Sequence, residues 1–159
     1  MIITLKDGSK REVQEGISVI DLAKEISEGL ARVATAGRVD GKVVDLRYNL
    51  NKECNVEILT FDDEDGKKAY WHTTSHIMAQ AIKRLYKDVK LAIGPAIDGG
   101  FYYDFDTEYR FSEADFEKIE AEMKKIIKED LPIERFELPR NEAIKLMKDA
   151  GEDYKVELI

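Results

Sequence analysis

Through residues 1–60 the apolar positions fall in short runs and alternations, and beyond them they recur at three- and four-residue spacing. Ile2–Leu5, a Lys6-Asp7-Gly8-Ser9 turn and Arg11–Val13 read as a hairpin, because Asp-Gly tolerates the positive φ that tight hairpin turns demand. Ser18 followed by Asp21 reads as a helix N-cap with an acidic partner at the third helical position, and Val19, Leu22, Ala23 and Ile26 give that helix one apolar face. Gly29 is expected to end it. Val33–Ala36, Lys42–Val44 and Val56–Leu59 supply further short strands, with Val39-Asp40-Gly41 as a second turn. A small sheet crossed by one helix is a β-grasp, or ubiquitin-like, arrangement.

The run Phe61-Asp62-Asp63-Glu64-Asp65-Gly66-Lys67-Lys68 reads as a charged break between compact units, which sets expected domains at 1–62 and 68–159. Next comes an uninterrupted helical pattern over Thr73–Tyr86, with Ile77, Ala81, Ile82 and Leu85 as its apolar face and two histidines at its first turns. Leu91–Pro95 and Phe101–Phe105 flank a loop, Ile97-Asp98-Gly99-Gly100, whose glycines allow a tight turn or a close backbone approach to a ligand. Phe101, Tyr102, Tyr103 and Phe105 alternate there as on a strand, one face inward. Ser112 with Asp115 caps a helix to about Lys128 with Phe116, Ile119, Met123 and Ile126-Ile127 as the buried stripe. Pro132–Leu138 is expected as a strand, Asn141–Asp149 as a helix closed by Gly151, and Tyr154–Ile159 as a final strand. The fold class is α+β: a β-grasp module, then an α+β domain with a sheet packed on helices. A final strand without neighbours suggests a truncated chain.

Charge narrows the function. The chain carries a formal net charge of −8, whereas a dedicated non-specific nucleic-acid binder needs a basic surface to displace counterions. One local basic stretch survives that argument: Lys83, Arg84, Lys87 and Lys90. No apolar run approaches the roughly 20 residues of a membrane span, and Met1 leads straight into Ile2-Ile3-Thr4-Leu5 without a signal peptide's basic start. Cys54 is the only cysteine, so no internal disulfide can form, and it reads as a small core residue. Together these point to a cytoplasmic chain with no membrane partner.

His72 and His76 are the only histidines, and at i and i+4 they can converge on one small object, be it a metal, a water or a substrate. The H-E-x-x-H metalloprotease pattern shares the spacing, but the position of its general-base glutamate is Thr73. A zinc site also needs a third protein ligand, and Asp104, Asp106 and Cys54 have no diagnostic spacing to the pair, so no metal is expected.

The longer blocks carry more than the spacing does. Trp71-His72-Thr73-Thr74-Ser75-His76 running into Ala79-Gln80-Ala81-Ile82-Lys83-Arg84-Leu85-Tyr86, then Ala92-Ile93-Gly94-Pro95-Ala96-Ile97-Asp98-Gly99-Gly100-Phe101-Tyr102-Tyr103-Asp104, resembles the proofreading domain of the threonyl-tRNA synthetase family. Gly151-Glu152-Asp153-Tyr154-Lys155-Val156 resembles a later strand of that domain, and residues 1–62 resemble the TGS module that precedes it. Alanyl-tRNA editing domains share the H-x-x-x-H pair, but the Gly94–Asp104 block favours the threonyl family.

The resemblance implies a site that hydrolyses mischarged seryl-tRNA, with His72, His76 and Lys155 as catalytic residues and Gly94 and Tyr103 lining the pocket. It also implies a later segment, with an aspartate and a C-x-x-x-H motif, that completes the family's site and is not found up to Ile159. Aminoacylation, with its ATP and zinc, is implied for a separate domain, so no cofactor is expected here. The implied partner is the acceptor end of tRNA, and the full-length family forms homodimers. Two other readings compete: a non-catalytic module that binds RNA or protein, and zinc-dependent hydrolysis, which predicts stoichiometric metal and sensitivity to chelator.

Overall fold

In the computed structural model, which describes residues 1–159, the Asp7-Gly8 turn joins strand β1 (Ile2–Leu5) to β2 (Lys10–Glu12), and the two pair antiparallel with Ile3 opposite Arg11. The Asp7 carboxylate accepts hydrogen bonds from the Ser9 amide and hydroxyl at 2.9 and 2.6 Å, while Gly8 takes a φ of +82°. Helix α1 (Val19–Ile26) buries Val19 and Leu22 with Ile3, Val13, Val39 and Val56. Ser18 is its N-cap, accepting from the Asp21 amide at 3.1 Å, as the spacing predicts. The helix stops earlier than expected. Ser27 rather than Gly29 ends it, because the Ser27 amide closes onto Ala23 and its hydroxyl accepts from Leu30, which starts a short helix α2 (Glu28–Val33). Val33 is therefore helical and strand β3 runs Ala34–Val39. Strands β4 (Lys42–Val44) and β5 (Cys54–Thr60) complete a sheet of order β2-β1-β5-β3-β4, in which β5 is parallel to β1 and antiparallel to β3. This is the β-grasp.

The chain divides into two compact units, Met1–Trp71 and His72–Ile159. The charged run expected as a break is instead the start of helix α3 (Glu64–Leu85), whose first turn carries Glu64 and Asp65, the sign that suits a helix N-terminus. His72 and His76 consequently lie in mid-helix rather than at its start. Gly66 is pressed against the end of β5: a Cβ there would lie 2.0 Å from the Thr60 carbonyl oxygen.

In the second unit, Met78 and Ile82 from α3 and Tyr86 just after it pack with Val89, Phe105, Phe111, Ile119 and Met123. Leu85, expected on that face, is exposed. Helix α4 (Glu113–Glu129) begins with the expected capping box between Ser112 and Asp115. Asp115 also accepts the hydroxyls of Tyr86 (2.7 Å) and Tyr109 (2.8 Å), and these bonds, with the Ser112 amide, hold its carboxyl well below the usual range. Ile119 and Ile126 are buried, but Phe116 and Ile127 are not: Ile127 is turned about 100° from Ile126 around the helix, and Phe116 projects outside the packed cluster.

Two short antiparallel ladders are nested one inside the other, β6 (Lys90–Leu91) with β9 (Phe105–Asp106) and β7 (Ala96–Ile97) with β8 (Gly100–Phe101). Gly99, at φ +83°, makes the tip. Phe101, Tyr103 and Phe105 face inward and Tyr102 outward. No strand forms over 132–138, where Ile133 and Phe136 stand exposed. Helix α5 (Arg140–Asp149) is followed by Gly151 at φ +70°. The expected strand over 154–159 is instead helix α6 (Asp153–Leu158). No other strand pairs with it, and its backbone closes locally, the Lys155 and Val156 amides donating to the Glu152 carbonyl at 3.0 and 3.2 Å. Neither unit holds a helix long and apolar enough to cross a membrane.

Candidate active site

Helix α3 presents His72 and His76 one turn apart, with Nε2 of one ring 3.1 Å from Nε2 of the other and the ring planes at 80°. In that contact one nitrogen donates and the other accepts, so the facing pair holds a single proton between them. Partial desolvation lowers the His76 pKa, and the neighbouring His72 and Lys155 charges push it the same way. An imidazole kept neutral is one able to take a proton.

A cleft of about 410 Å³ opens beside this pair, lined by His76, Gln80, Lys83 and Arg84 from α3, Leu91 from β6 and Lys155 from α6. Lys155 is thus brought to His76 from a helix, not from the expected strand. Tyr103 lies with its ring centre 6.4 Å from that of His76 and is stacked on Phe105 at 5.0 Å. Burial raises its hydroxyl's pKa, and the charge of Glu152 adds to the effect. Gly94 is what lets that ring in, since a Cβ on it would sit 2.0 Å from Tyr103 Cδ2. The five residues expected of the site therefore gather in the second unit.

Two further residues hold the arrangement, and neither was singled out from the sequence. Ser75 is fully buried, and its hydroxyl lies 2.7 Å from the His72 carbonyl and 2.9 Å from the Gly94 carbonyl, tying the histidine helix to the loop under Tyr103. Its signal was a serine on the inward side of an otherwise apolar helix face. Glu152 is also buried; it pairs with Lys83 and lies 3.5 Å from the Lys155 ammonium. No group of three or more His, Cys, Asp or Glu side chains converges here in the manner of a metal site.

The basic stretch is less available than its composition suggested. Lys83 is matched by Glu152, Arg84 by Glu122 and Glu129, and Lys90 by Asp153.

Residues 1–60 match the family model of the TGS domain. The chain is 63% identical over 159 residues, its whole length, to a threonine–tRNA ligase of Caldanaerobacter subterraneus subsp. tengcongensis. It is 66% identical over 157 residues to the ligase of the same description from Acetivibrio thermocellus, and 60% identical over 157 residues to that from Clostridioides difficile, 99% of this chain being covered in each case. From end to end, this is sequence of the threonine–tRNA ligase type. The chain spans about a quarter of the length of these curated relatives, 25% in each of the three. This likeness and the TGS match agree with the resemblance to the threonyl-tRNA synthetase family and to its TGS module.

Proposed function

We propose that this chain is the proofreading part of a threonine–tRNA ligase, where seryl-tRNA formed in error is hydrolysed. The observation that carries the reading is the contact between the His72 and His76 imidazoles beside a cleft that also holds Lys155. Selection by size explains why such a site is needed. One methyl group is worth only about 1–3 kcal/mol of discrimination, and serine is smaller than threonine, so a synthetic pocket that admits threonine admits serine too. A second site must remove the product.

The reaction is hydrolysis of an ester. A water oxygen attacks the seryl carbonyl carbon, the bond from that carbon to the ribose oxygen breaks, and the water's proton passes to the departing ribose oxygen. One neutral imidazole takes the proton from water, which the lowered pKa of His76 favours, and the other holds the ribose or the amino acid. The Lys155 ammonium stabilises the negative charge that grows on the carbonyl oxygen or assists the proton's transfer. Tyr103 and Gly94 shape the wall against which threonine's additional methyl is rejected. The TGS module has no catalytic role in this reading. Aminoacylation, with its ATP and zinc, belongs to another part of the ligase; tRNA is the partner at its acceptor end, and the whole ligase works in the cytoplasm as a homodimer.

Deacylation of seryl-tRNA specific for threonine tests this, with threonyl-tRNA as control and His72→Ala alongside, in this chain and in the full-length ligase. Selective hydrolysis that falls at least tenfold in His72→Ala is expected. A full-length ligase that cleared seryl-tRNA equally well with His72→Ala would refute the role.

A further inference from the structure

Lys155 sits on the six-residue helix α6 and lines the same cleft as His76. A free lysine side chain loses rotamer entropy on being fixed, so keeping its ammonium beside His76 takes a partner that holds it. The only carboxylate paired with it in the structure is that of Glu152, one turn earlier, at 3.5 Å. Glu152 differs from an ordinary helix-surface partner in two ways. Its side chain is only 10% exposed, and its other oxygen is engaged by Lys83 from helix α3. Lys83 lies seven residues, two turns, after His76, on the same face of that helix. The carboxylate thus joins the helix bearing the histidines to the helix bearing Lys155.

Its backbone reinforces the placement. The Glu152 amide donates to Met147 at 2.9 Å and its carbonyl accepts from Lys155 and Val156, so the residue both closes α5 and starts α6. Gly151, at φ +70°, supplies the turn between them.

We propose that Glu152, anchored by Lys83, is the positioning residue that fixes the Lys155 ammonium in the cleft beside His76. Removing its charge leaves both ammoniums without their shared counter-ion, and Lys155, which has no other carboxylate partner, swings out to solvent. The inference rests on the proofreading reading for its purpose, but not for its geometry.

The test therefore has two arms on the full-length ligase. In the first, competitive reductive methylation followed by peptide mass spectrometry measures the reactivity of each lysine amine. Lys155 is expected to react several-fold faster in Glu152→Gln than in wild type, with Lys145 and Lys148 on α5 unchanged as controls for folding. An unchanged Lys155 rate overturns the proposal. In the second arm, single-turnover deacylation of seryl-tRNA is expected to slow at least tenfold in Glu152→Gln with apparent substrate affinity preserved. Glu152→Asp should recover part of the rate, and Glu152→Gln should add nothing to Lys155→Ala; additive losses would mean that Glu152 does not act through Lys155, and would sink the idea. A wild-type ligase without deacylase activity would overturn the proofreading reading alone, and the methylation arm would still decide the positioning. If Glu152→Gln fails to fold, Glu152→Asp carries the same methylation comparison, since it keeps the charge but is one methylene short of Lys155.

Discussion

His76 is exposed enough to meet a ligand and desolvated enough to resist protonation, and that combination has a consequence that can be titrated. Its pKa in the folded chain lies below the ordinary 6.5, first through partial burial and then through the charges of His72 and Lys155. A histidine with a lowered folded pKa contributes stability that is complete above pH 6.5 and is lost as the pH falls through the folded value. Ring-proton shifts followed by NMR should give His76 a midpoint below 6.5, and the chain's melting temperature should begin to fall below the same pH. A His76 midpoint at or above 6.5 would show that the ring is not held neutral. At this scale the sequence is most legible where a residue type is rare: the only two histidines stand out by their spacing, whereas Lys155, one of 25 lysines and arginines, came only through the resemblance. Ser75 and Glu152 did not stand out, because a buried hydroxyl and a shared carboxylate owe their roles to what lies opposite them in space.

Helix α3 illustrates why element boundaries read less well than element existence. Charge at residues 61–68 looked like a break, yet Glu64 and Asp65 at a helix N-terminus favour the helix, and the apolar periodicity further on gave no sign of where it began. Gly66 fits the same account. Alanine is favoured over glycine inside a helix by about 1 kcal/mol, so Gly66→Ala would ordinarily stabilise. Here the added carbon meets the Thr60 carbonyl at 2.0 Å and the Thr35 hydroxyl at 2.9 Å, and a backbone oxygen cannot rotate aside as a side chain would. Overpacking of this kind costs about 1–3 kcal/mol, so a urea titration of Gly66→Ala should show a lower midpoint. A midpoint equal to or above the parent's would mean that β5 and α3 yield easily. At Tyr154–Ile159 the cause is different: the alternation in Tyr-Lys-Val-Glu-Leu-Ile suits a strand, but a strand needs a neighbour, and the backbone closes on Glu152 instead.

For the molecule as a whole, each unit has its own apolar cluster. The cluster of Ile3, Val13, Val19, Leu22, Val39, Leu50 and Val56 lies wholly within Met1–Trp71. That stretch expressed by itself should melt cooperatively and give dispersed amide signals, although a unit of this size buries only about 60% of the surface its unfolded chain exposes and will be of modest stability. A featureless melt would show that it depends on residues after Trp71. The β-grasp was readable nearly strand by strand, since its turns carry Asp-Gly signals and its helix a capping serine. The second unit was readable chiefly through its motif blocks, because its ladders are two residues long and too short to leave a periodicity. The basic stretch shows what composition leaves out: carboxylates on α4 and α6 answer Arg84 and Lys90, and Glu152 answers Lys83.

The tip of the nested hairpin offers something of practical use. No atom outside the adjoining residues comes within 4 Å of where a Cβ on Gly100 would stand, and Gly100, unlike Gly99, does not require a positive φ. The only native thiol, Cys54, belongs to the other unit and is made less acidic by burial and then by the charge of Asp40. Gly100→Cys would therefore supply one readily alkylated sulfur on the loop that continues directly to Tyr103. A fluorophore attached there would report on the hairpin that leads to Tyr103 without replacing any group proposed to do the chemistry.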